Sequence, residues 1–111
     1  MAFERAPALL LSLVLVVGGQ DARAASDADI DRMSNFALLL GRGIGCELDT
    51  HRAADMVGAW LERTFPPGSP DQKRYLSMFM EGVRSHAAQQ QSGRSPDSCT
   101  DIARAFETMR W

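Results

Sequence analysis

Apolar residues along this chain recur at the spacing of an α-helix, and no segment alternates apolar and polar residues as a half-buried strand would. The clearest run has steps of three and four residues: Ile30, Met33, Ala37, Leu40 and Ile44. It predicts a first helix over residues 29–46, with Ser26 or Asp27 as its N-cap. Because Phe36, Leu38 and Leu39 broaden this apolar stripe, we expect the first helix to lie at the centre of the fold.

Three glycines, Gly41, Gly43 and Gly45, interrupt the end of this predicted helix. Each costs up to about 1 kcal/mol relative to alanine inside a helix. Either the helix ends near Gly41, or the glycines let another helix approach it closely. A phosphate-binding loop is not indicated, because the glycines follow a helix instead of a strand and no βαβ unit surrounds them.

A second helix is predicted to begin after Asp49 or Thr50 and to run to about Thr64, where the Phe65-Pro66-Pro67 segment ends it. We expect it to pack against the first helix as a hairpin, with a third helix returning across both. Its apolar face consists of Ala53, Met56, Val57, Trp60 and Leu61.

Two segments with the same three residues, Ser69-Pro70-Asp71 and Ser95-Pro96-Asp97, predict the starts of two further helices. Serine suits the N-cap, proline the first turn, and aspartate the positive end of the helix dipole. They open a third helix over about residues 70–90 and a fourth over about residues 96–110. The residues predicted to be buried are Leu76, Phe79, Met80 and Val83 in the third helix, and Cys99, Ile102, Ala103 and Phe106 in the fourth. The fold class that follows is all-α, a small compact bundle of about four helices.

The first 24 residues have the layout of a secretory signal peptide. Arg5 precedes an apolar run of about ten residues, and Ala22-Arg23-Ala24 fits the small-x-small cleavage pattern. A helix of that length spans roughly 15 Å, half of the roughly 30 Å of a bilayer core, which argues against a retained membrane anchor. A buried N-terminal helix is the other alternative. We predict a signal peptide over residues 1–24, cleaved to leave no stable membrane anchor, and a single helical domain over residues 25–111.

Both cysteines, Cys46 and Cys99, fall in the predicted mature domain. In an oxidising compartment we expect them to form one disulfide, which would close a loop of 53 positions. In the chain-entropy description, a loop of this length stabilises the fold by roughly 4 kcal/mol. The bond would tie the end of the first helix to the start of the fourth. Free or intermolecular thiols are the alternative, and redox catalysis has no Cys-x-x-Cys motif to support it.

Composition limits the classes of function. The chain has 111 residues, with 12 Lys and Arg against 14 Asp and Glu, and a formal net charge of -2. The predicted cleavage would remove two residues of each sign and leave this charge unchanged. A chain this short accommodates one domain, and a charge so near neutral is not typical of a nucleic-acid-binding surface. We therefore predict no nucleic-acid partner.

Few residues indicate chemistry. Glu47, Asp49 and His51 are metal-ligand types close together in the sequence, but a spacing of two does not put them on one helical face. The chain has no Gly-x-Ser-x-Gly elbow, no Cys-x-x-Cys-His haem attachment and no calcium-loop spacing of its acidic residues. We predict that the protein is not an enzyme and carries no metal or cofactor. A small-ligand or metal carrier is the alternative, using these three residues or the bundle interior.

Two methionines and a tryptophan are the predicted partner-binding residues. Met78 and Met80 flank Phe79, so all three cannot face one core stripe, and methionine adapts its shape to irregular partners. Trp111, the last residue, is the third candidate. The alternatives are filling of the core boundary by the methionines and a clamp at the end of the bundle for Trp111.

Taken together, these features predict a periplasmic or secreted protein that acts by protein–protein contact, as a chaperone-like or accessory factor. An inhibitor or immunity protein for a secreted enzyme is a further alternative. In its layout, a short exported helical chain with one disulfide, the sequence is similar to the small acid-stress chaperones of the bacterial periplasm. This resemblance extends over the predicted mature chain and implies no particular functional residue.

Overall fold

The computed structural model describes residues 25–111, in which the chain forms four helices and no strand. They are α1 (Asp27–Gly45), α2 (His51–Thr64), α3 (Pro70–Gln91) and α4 (Cys99–Thr108). About three quarters of the described residues are helical, which confirms the predicted all-α fold. None of the four described helices combines the length and the hydropathy needed to cross a bilayer. The predicted signal peptide, residues 1–24, lies outside the described residues.

Serine hydroxyls begin three of the four helices in residues 25–111. Ser26, Ser69 and Ser98 each accept a hydrogen bond from the backbone N–H three positions later, at 3.1 Å in every case. The first two confirm predicted N-caps. α2 begins differently, because Thr50 makes no side-chain cap and Asp49 Oδ1 accepts from the first N–H of the helix at 3.1 Å. Local hydrogen bonds therefore set where these helices begin.

The predicted start of the fourth helix at Pro96 is wrong, since α4 begins three residues later. The Ser95 hydroxyl does accept a hydrogen bond from the Asp97 N–H, at 3.2 Å. The Asp97 carboxylate, however, forms an ion pair with Arg42 of α1, and the chain turns at this point. Helical hydrogen bonding therefore starts only after Ser98.

α1 lies at the centre of the bundle, as its broad apolar stripe predicted, and contacts α2, α3 and α4. α3 is its main partner and runs parallel to it, since Gly41 lies beside His86 and Gly45 lies one turn further on beside Gln90. A Cβ on Gly41 would lie 2.5 Å from the Val83 carbonyl oxygen, so a larger residue would push the helices apart. The glycines therefore serve close packing, and α1 continues through them.

The hydrophobic core is built from α1, α2, α3 and the segment after α2. Its buried side chains are Met33, Phe36, Ala37, Leu40, Ala53, Val57, Leu61, Phe65 and Phe79. α4 contributes no buried member to this cluster, because its buried side chain, Ile102, lies outside it. Phe106, Met109 and Trp111 are half-buried and pack against the core. α4 and the residues after it therefore cover a core that the other helices build.

The prediction that the third helix buries Leu76 and Met80 is wrong, because they are 39% and 46% exposed. Phe79 belongs to the core and is 6% exposed. Successive residues of an α-helix are turned by about 100°, so Met80 leaves the face that Phe79 defines. Leu76 and Met80 therefore lie at the edge of the buried face of α3.

Six aromatic side chains form a continuous row through the core. Neighbouring ring centroids lie between 5.0 and 6.0 Å apart. Each such pair adds about 0.5–1.5 kcal/mol beyond the burial of its area. In spatial order the row consists of Tyr75, Phe65, Trp60, Phe36, Trp111 and Phe106.

The predicted disulfide is confirmed: Cys46 follows α1, Cys99 begins α4, and their Cα atoms lie 5.6 Å apart. Beside it, Arg42 is 8% exposed and pairs with Asp97. The side-chain amide of Gln90 donates to the Asp97 carbonyl oxygen at 3.1 Å. The disulfide, the ion pair and this hydrogen bond together hold the turn before α4 against α1 and α3.

Candidate interaction groove

A groove lies between the C-terminal half of α2 and the N-terminal half of α3, and we call it the α2–α3 groove. Its shallow part, of about 550 Å³, is lined by α3 and the loop before it, from Gly68 to Met80, and by no residue of α2. The groove also has a deep part, and the two parts share Gln72 and Leu76, so they form one continuous surface. The deep part, of about 190 Å³, is lined by Gly58, Leu61, Glu62, Phe65, Gln72 and Leu76.

Gly58 lines the deep part of the groove on the α2 side and faces open space. A Cβ placed on Gly58 would meet no atom within 4 Å. On the α3 side, Leu76 and Met80 lie one helical turn apart and are exposed. Leu61 and Phe65, also in the lining of the deep part, are buried. The groove therefore presents an exposed apolar wall beside buried apolar residues.

One charge of each sign borders the groove. Glu62 lies on α2 and Lys73 on α3, both are exposed, and neither forms an ion pair with another side chain of residues 25–111. The hydrogen bond from the Gln72 N–H to the Ser69 hydroxyl fixes the first turn of α3, which carries Lys73. A bound partner would therefore meet an acidic side chain at the deep part of the groove and a basic one at the shallow part.

Met78 and Met80, both predicted partner residues, lie on different sides of α3. Two helical positions correspond to a rotation of about 200°. Met80 lines the groove, whereas Met78, which is 51% exposed, does not. The structure therefore brings Met80 together with Leu76 and not with Met78.

Trp111, the third predicted partner residue, is half-buried at the end of the core. Its ring centroid lies 5.8 Å from that of Phe36 and 5.0 Å from that of Phe106. These contacts match the clamp that the sequence offered as an alternative. Trp111 also lines, with Met56, a separate groove of about 470 Å³ between α2 and α4.

The three metal-ligand types after α1 are not assembled into a site. Asp49 Oδ1 accepts from the His51 N–H, and Glu47 has a left-handed backbone conformation, with φ of 62°. Within residues 25–111, no group of three His, Cys, Asp or Glu side chains is placed to hold a metal ion. The structure therefore does not bring Glu47, Asp49 and His51 together.

Sequence reasoning missed Gly58 and Lys73 as parts of the groove. The signal available for Gly58 was its position inside a predicted helix. A glycine there lowers helix stability without ending the helix, which can mark a position with a packing or functional role. The spacing of four between Leu76 and Met80 places them on one side of α3. That spacing does not show whether another helix covers this side of α3, because the cover depends on the position of α2 relative to α3.

Compared with protein families, curated proteins and solved structures, the chain matches none of them. Its fold and groove define its class: a small all-helical protein with one described disulfide and an exposed apolar groove between two helices. We therefore derive its function from the groove.

Proposed function

We propose that this chain is an exported protein that acts by protein–protein contact, as a chaperone-like or accessory factor, and that it binds its partner in the α2–α3 groove. The observation that carries this proposal is the exposure of Leu76 and Met80, one turn apart, in the groove. Adjacent exposed apolar side chains are typical of interaction surfaces. Methionine suits such a surface, because its flexible thioether adapts to the partner's shape.

The proposed occupant is an amphipathic helix of another exported protein. Such a helix binds a groove through apolar residues spaced three or four positions apart on one face. The α2–α3 groove exposes Leu76 and Met80 one helical turn apart on α3, and the buried Leu61 and Phe65 form the floor of its deep part. Glu62 at the deep part and Lys73 at the shallow part favour a bound helix with a basic residue near Glu62 and an acidic residue near Lys73.

Export forms part of this proposal and is supported by two features. The first 24 residues have the charged, apolar and small-residue pattern of a signal peptide. The described domain also contains a disulfide, a bond that persists in oxidising compartments. A periplasmic or secreted location accounts for both features.

Capture experiments with charged variants test the groove. The immobilised oxidised protein, Met80→Glu and the matched control Met78→Glu are each incubated with exported proteins of the same organism. Both variants place a carboxylate at an exposed methionine of α3, so we expect both to retain their helices. We expect Met80→Glu to reduce the captured amount of partner about tenfold, equivalent to about 1.4 kcal/mol of binding free energy. We expect Met78→Glu to capture as much as the original chain.

Equal capture by the original chain and both variants, or capture of no protein by any of them, would contradict binding in the groove. Circular dichroism of each variant checks that its helices are intact. The number of captured proteins separates the versions of the proposal. Several unrelated partners indicate a chaperone-like role, whereas one stoichiometric partner indicates a dedicated accessory, inhibitor or immunity protein.

A further inference from the structure

α4 is attached to the helical bundle through α1. Among the four described helices, the backbone of α4 lies close to that of α1 and not to those of α2 and α3, and the side-chain amide of Gln90 in α3 donates to Cys99 Sγ at 3.6 Å. It has 10 residues, fewer than the roughly 12–15 at which an isolated helix becomes even marginally stable in water. α4 therefore depends on the interactions that hold it to α1.

Contacts with α1 add to the disulfide and to the Gln90 hydrogen bonds in holding α4 in place. Ile102 is buried, and the ring of Phe106 packs directly on Gly43 of α1. Before the helix begins, the Asp97 carboxylate pairs with Arg42. None of these residues is a buried member of the core cluster, which the other three helices and the segment after α2 build. The buried members of the core therefore all precede α4 in the chain, and residues of α4 and after it cover them.

α4 and the residues after it cover one side of that core. Trp111 lies against Phe36, the core residue with 0% exposure, and Met109 packs against the same cluster. If this segment left α1, the apolar surface beneath it would meet solvent. The position of α4 therefore determines how much apolar surface the molecule presents.

The disulfide joins the end of α1 to the start of α4, and one of its two cysteines is exposed to solvent. Cys99 is exposed and is the first residue of α4, and Cys46 is half-buried directly after α1. Thiol–disulfide exchange requires that an attacking thiolate reach one of the two sulfur atoms. The exposure of Cys99 gives a small reductant that access.

We propose that the disulfide is a redox-operated latch that holds α4 closed over the core. One thiolate of a small dithiol reductant attacks the Cys46–Cys99 bond and forms a mixed disulfide with one of the two cysteines. The second thiolate of the reductant then attacks this mixed disulfide and releases the cysteine as a thiol. The protein takes up two electrons and two protons as the bond becomes two thiols, and the reductant becomes a disulfide. α4 and the residues after it then separate from α1, while α1, α2 and α3 stay packed. The latch does not depend on the proposed function.

Hydrogen exchange of the full protein, measured by mass spectrometry with and without dithiothreitol, tests the latch. We expect the amides of α4 to exchange at least about 100-fold faster after reduction, because α4 then opens separately from the core. Amides in the middle of α1 and α3 are expected to change less than about threefold, because these two helices pack mainly against each other.

The double variant Cys46→Ser/Cys99→Ser is the matched control, and we expect it to show the reduced pattern whether or not dithiothreitol is present. Loss of protection in α1, α3 and α4 together would overturn the latch, since the bond would then stabilise the whole fold. Unchanged protection of α4 after reduction would overturn it as well. A double variant that does not fold would also overturn it, because the core would then require the bond.

Discussion

Gly41 and Gly45 set the distance between α1 and α3. With Ala37 they are spaced four residues apart, which places them on one side of α1. A Cβ on Gly45 would lie 2.6 Å from Gln90 Cβ and 2.8 Å from the Ala87 carbonyl oxygen. These glycines lower helix propensity but allow the two helices to make close van der Waals contact along this side.

Replacing Gly41 by alanine is expected to lower the free energy of unfolding by about 1–3 kcal/mol, because the new Cβ overlaps the α3 backbone at Val83. Gly58→Ala is the matched control. Its Cβ would meet no atom, so the better helix propensity of alanine should raise the free energy of unfolding by up to about 1 kcal/mol. Urea unfolding followed by circular dichroism measures both changes. A neutral or stabilising Gly41→Ala would contradict the close packing of α1 and α3.

Arg42 is a buried charge that depends on one carboxylate. It is 8% exposed, whereas the side chain of its partner Asp97 is 42% exposed. Asp97→Ala leaves the buried guanidinium unpaired, so we expect the free energy of unfolding to fall by about 2–3 kcal/mol. Adding Arg42→Met to the same chain removes the buried charge and should recover most of that loss. Chemical denaturation of the two single variants and the double variant measures the coupling.

An exposed ion pair provides the control for this cycle. Arg84 and Glu81 pair at 3.0 Å on the surface of α3, with both side chains more than half exposed. Glu81→Ala should change the free energy of unfolding by less than about 1 kcal/mol. If Asp97→Ala cost no more than Glu81→Ala, the ion pair of Arg42 would not hold the turn before α4.

At the scale of elements, α4 shows how a tertiary contact overrides a local start signal. Ser69 and Ser95 precede the same Pro-Asp pair, but only Ser69 begins a helix. The difference lies at Asp97, which is bound by Arg42, 55 positions away in the sequence. The ends of α1, α2 and α3 lie within two residues of their predicted positions, because serine caps and prolines act locally. Ser98, which caps α4, is itself a local signal, but the Ser-Pro-Asp pattern at Ser95 did not reveal that the helix begins after Ser98 instead.

The parallel pairing of α1 with α3 could likewise not be predicted from the spacing of apolar residues. A stripe of apolar residues identifies which face of a helix is buried, but not which helix covers it. The predicted alternative that Gly41, Gly43 and Gly45 admit a close neighbour is confirmed, and two neighbours use it. α3 packs at Gly41 and Gly45, whereas Phe106 of the C-terminal helix packs at Gly43.

At the scale of the whole molecule, residues 25–111 form a core of three helices, a short covering helix and the α2–α3 groove. Met80 was identifiable as a partner candidate because it neighbours Phe79, but the groove itself was not predictable. Whether Leu76 and Met80 are covered depends on the separation of α2 and α3 at Gly58, which residue spacing does not encode. The disulfide was predictable, because two cysteines in a chain predicted to be exported allow one intramolecular pairing.

Site-specific photo-crosslinking in the producing cells tests most directly whether the α2–α3 groove binds another protein. A photoreactive residue at position 80 lies in the groove, whereas one at position 78 lies on another side of α3. Both positions hold exposed methionines of the same helix, so a difference between them reports the groove and not general surface contact.

We predict a discrete covalent adduct with another exported protein from position 80 and none from position 78. Reduction by a dithiol does not cleave such an adduct, which distinguishes it from an intermolecular disulfide. Adducts of equal yield from both positions, or none from position 80, would contradict partner binding in the α2–α3 groove.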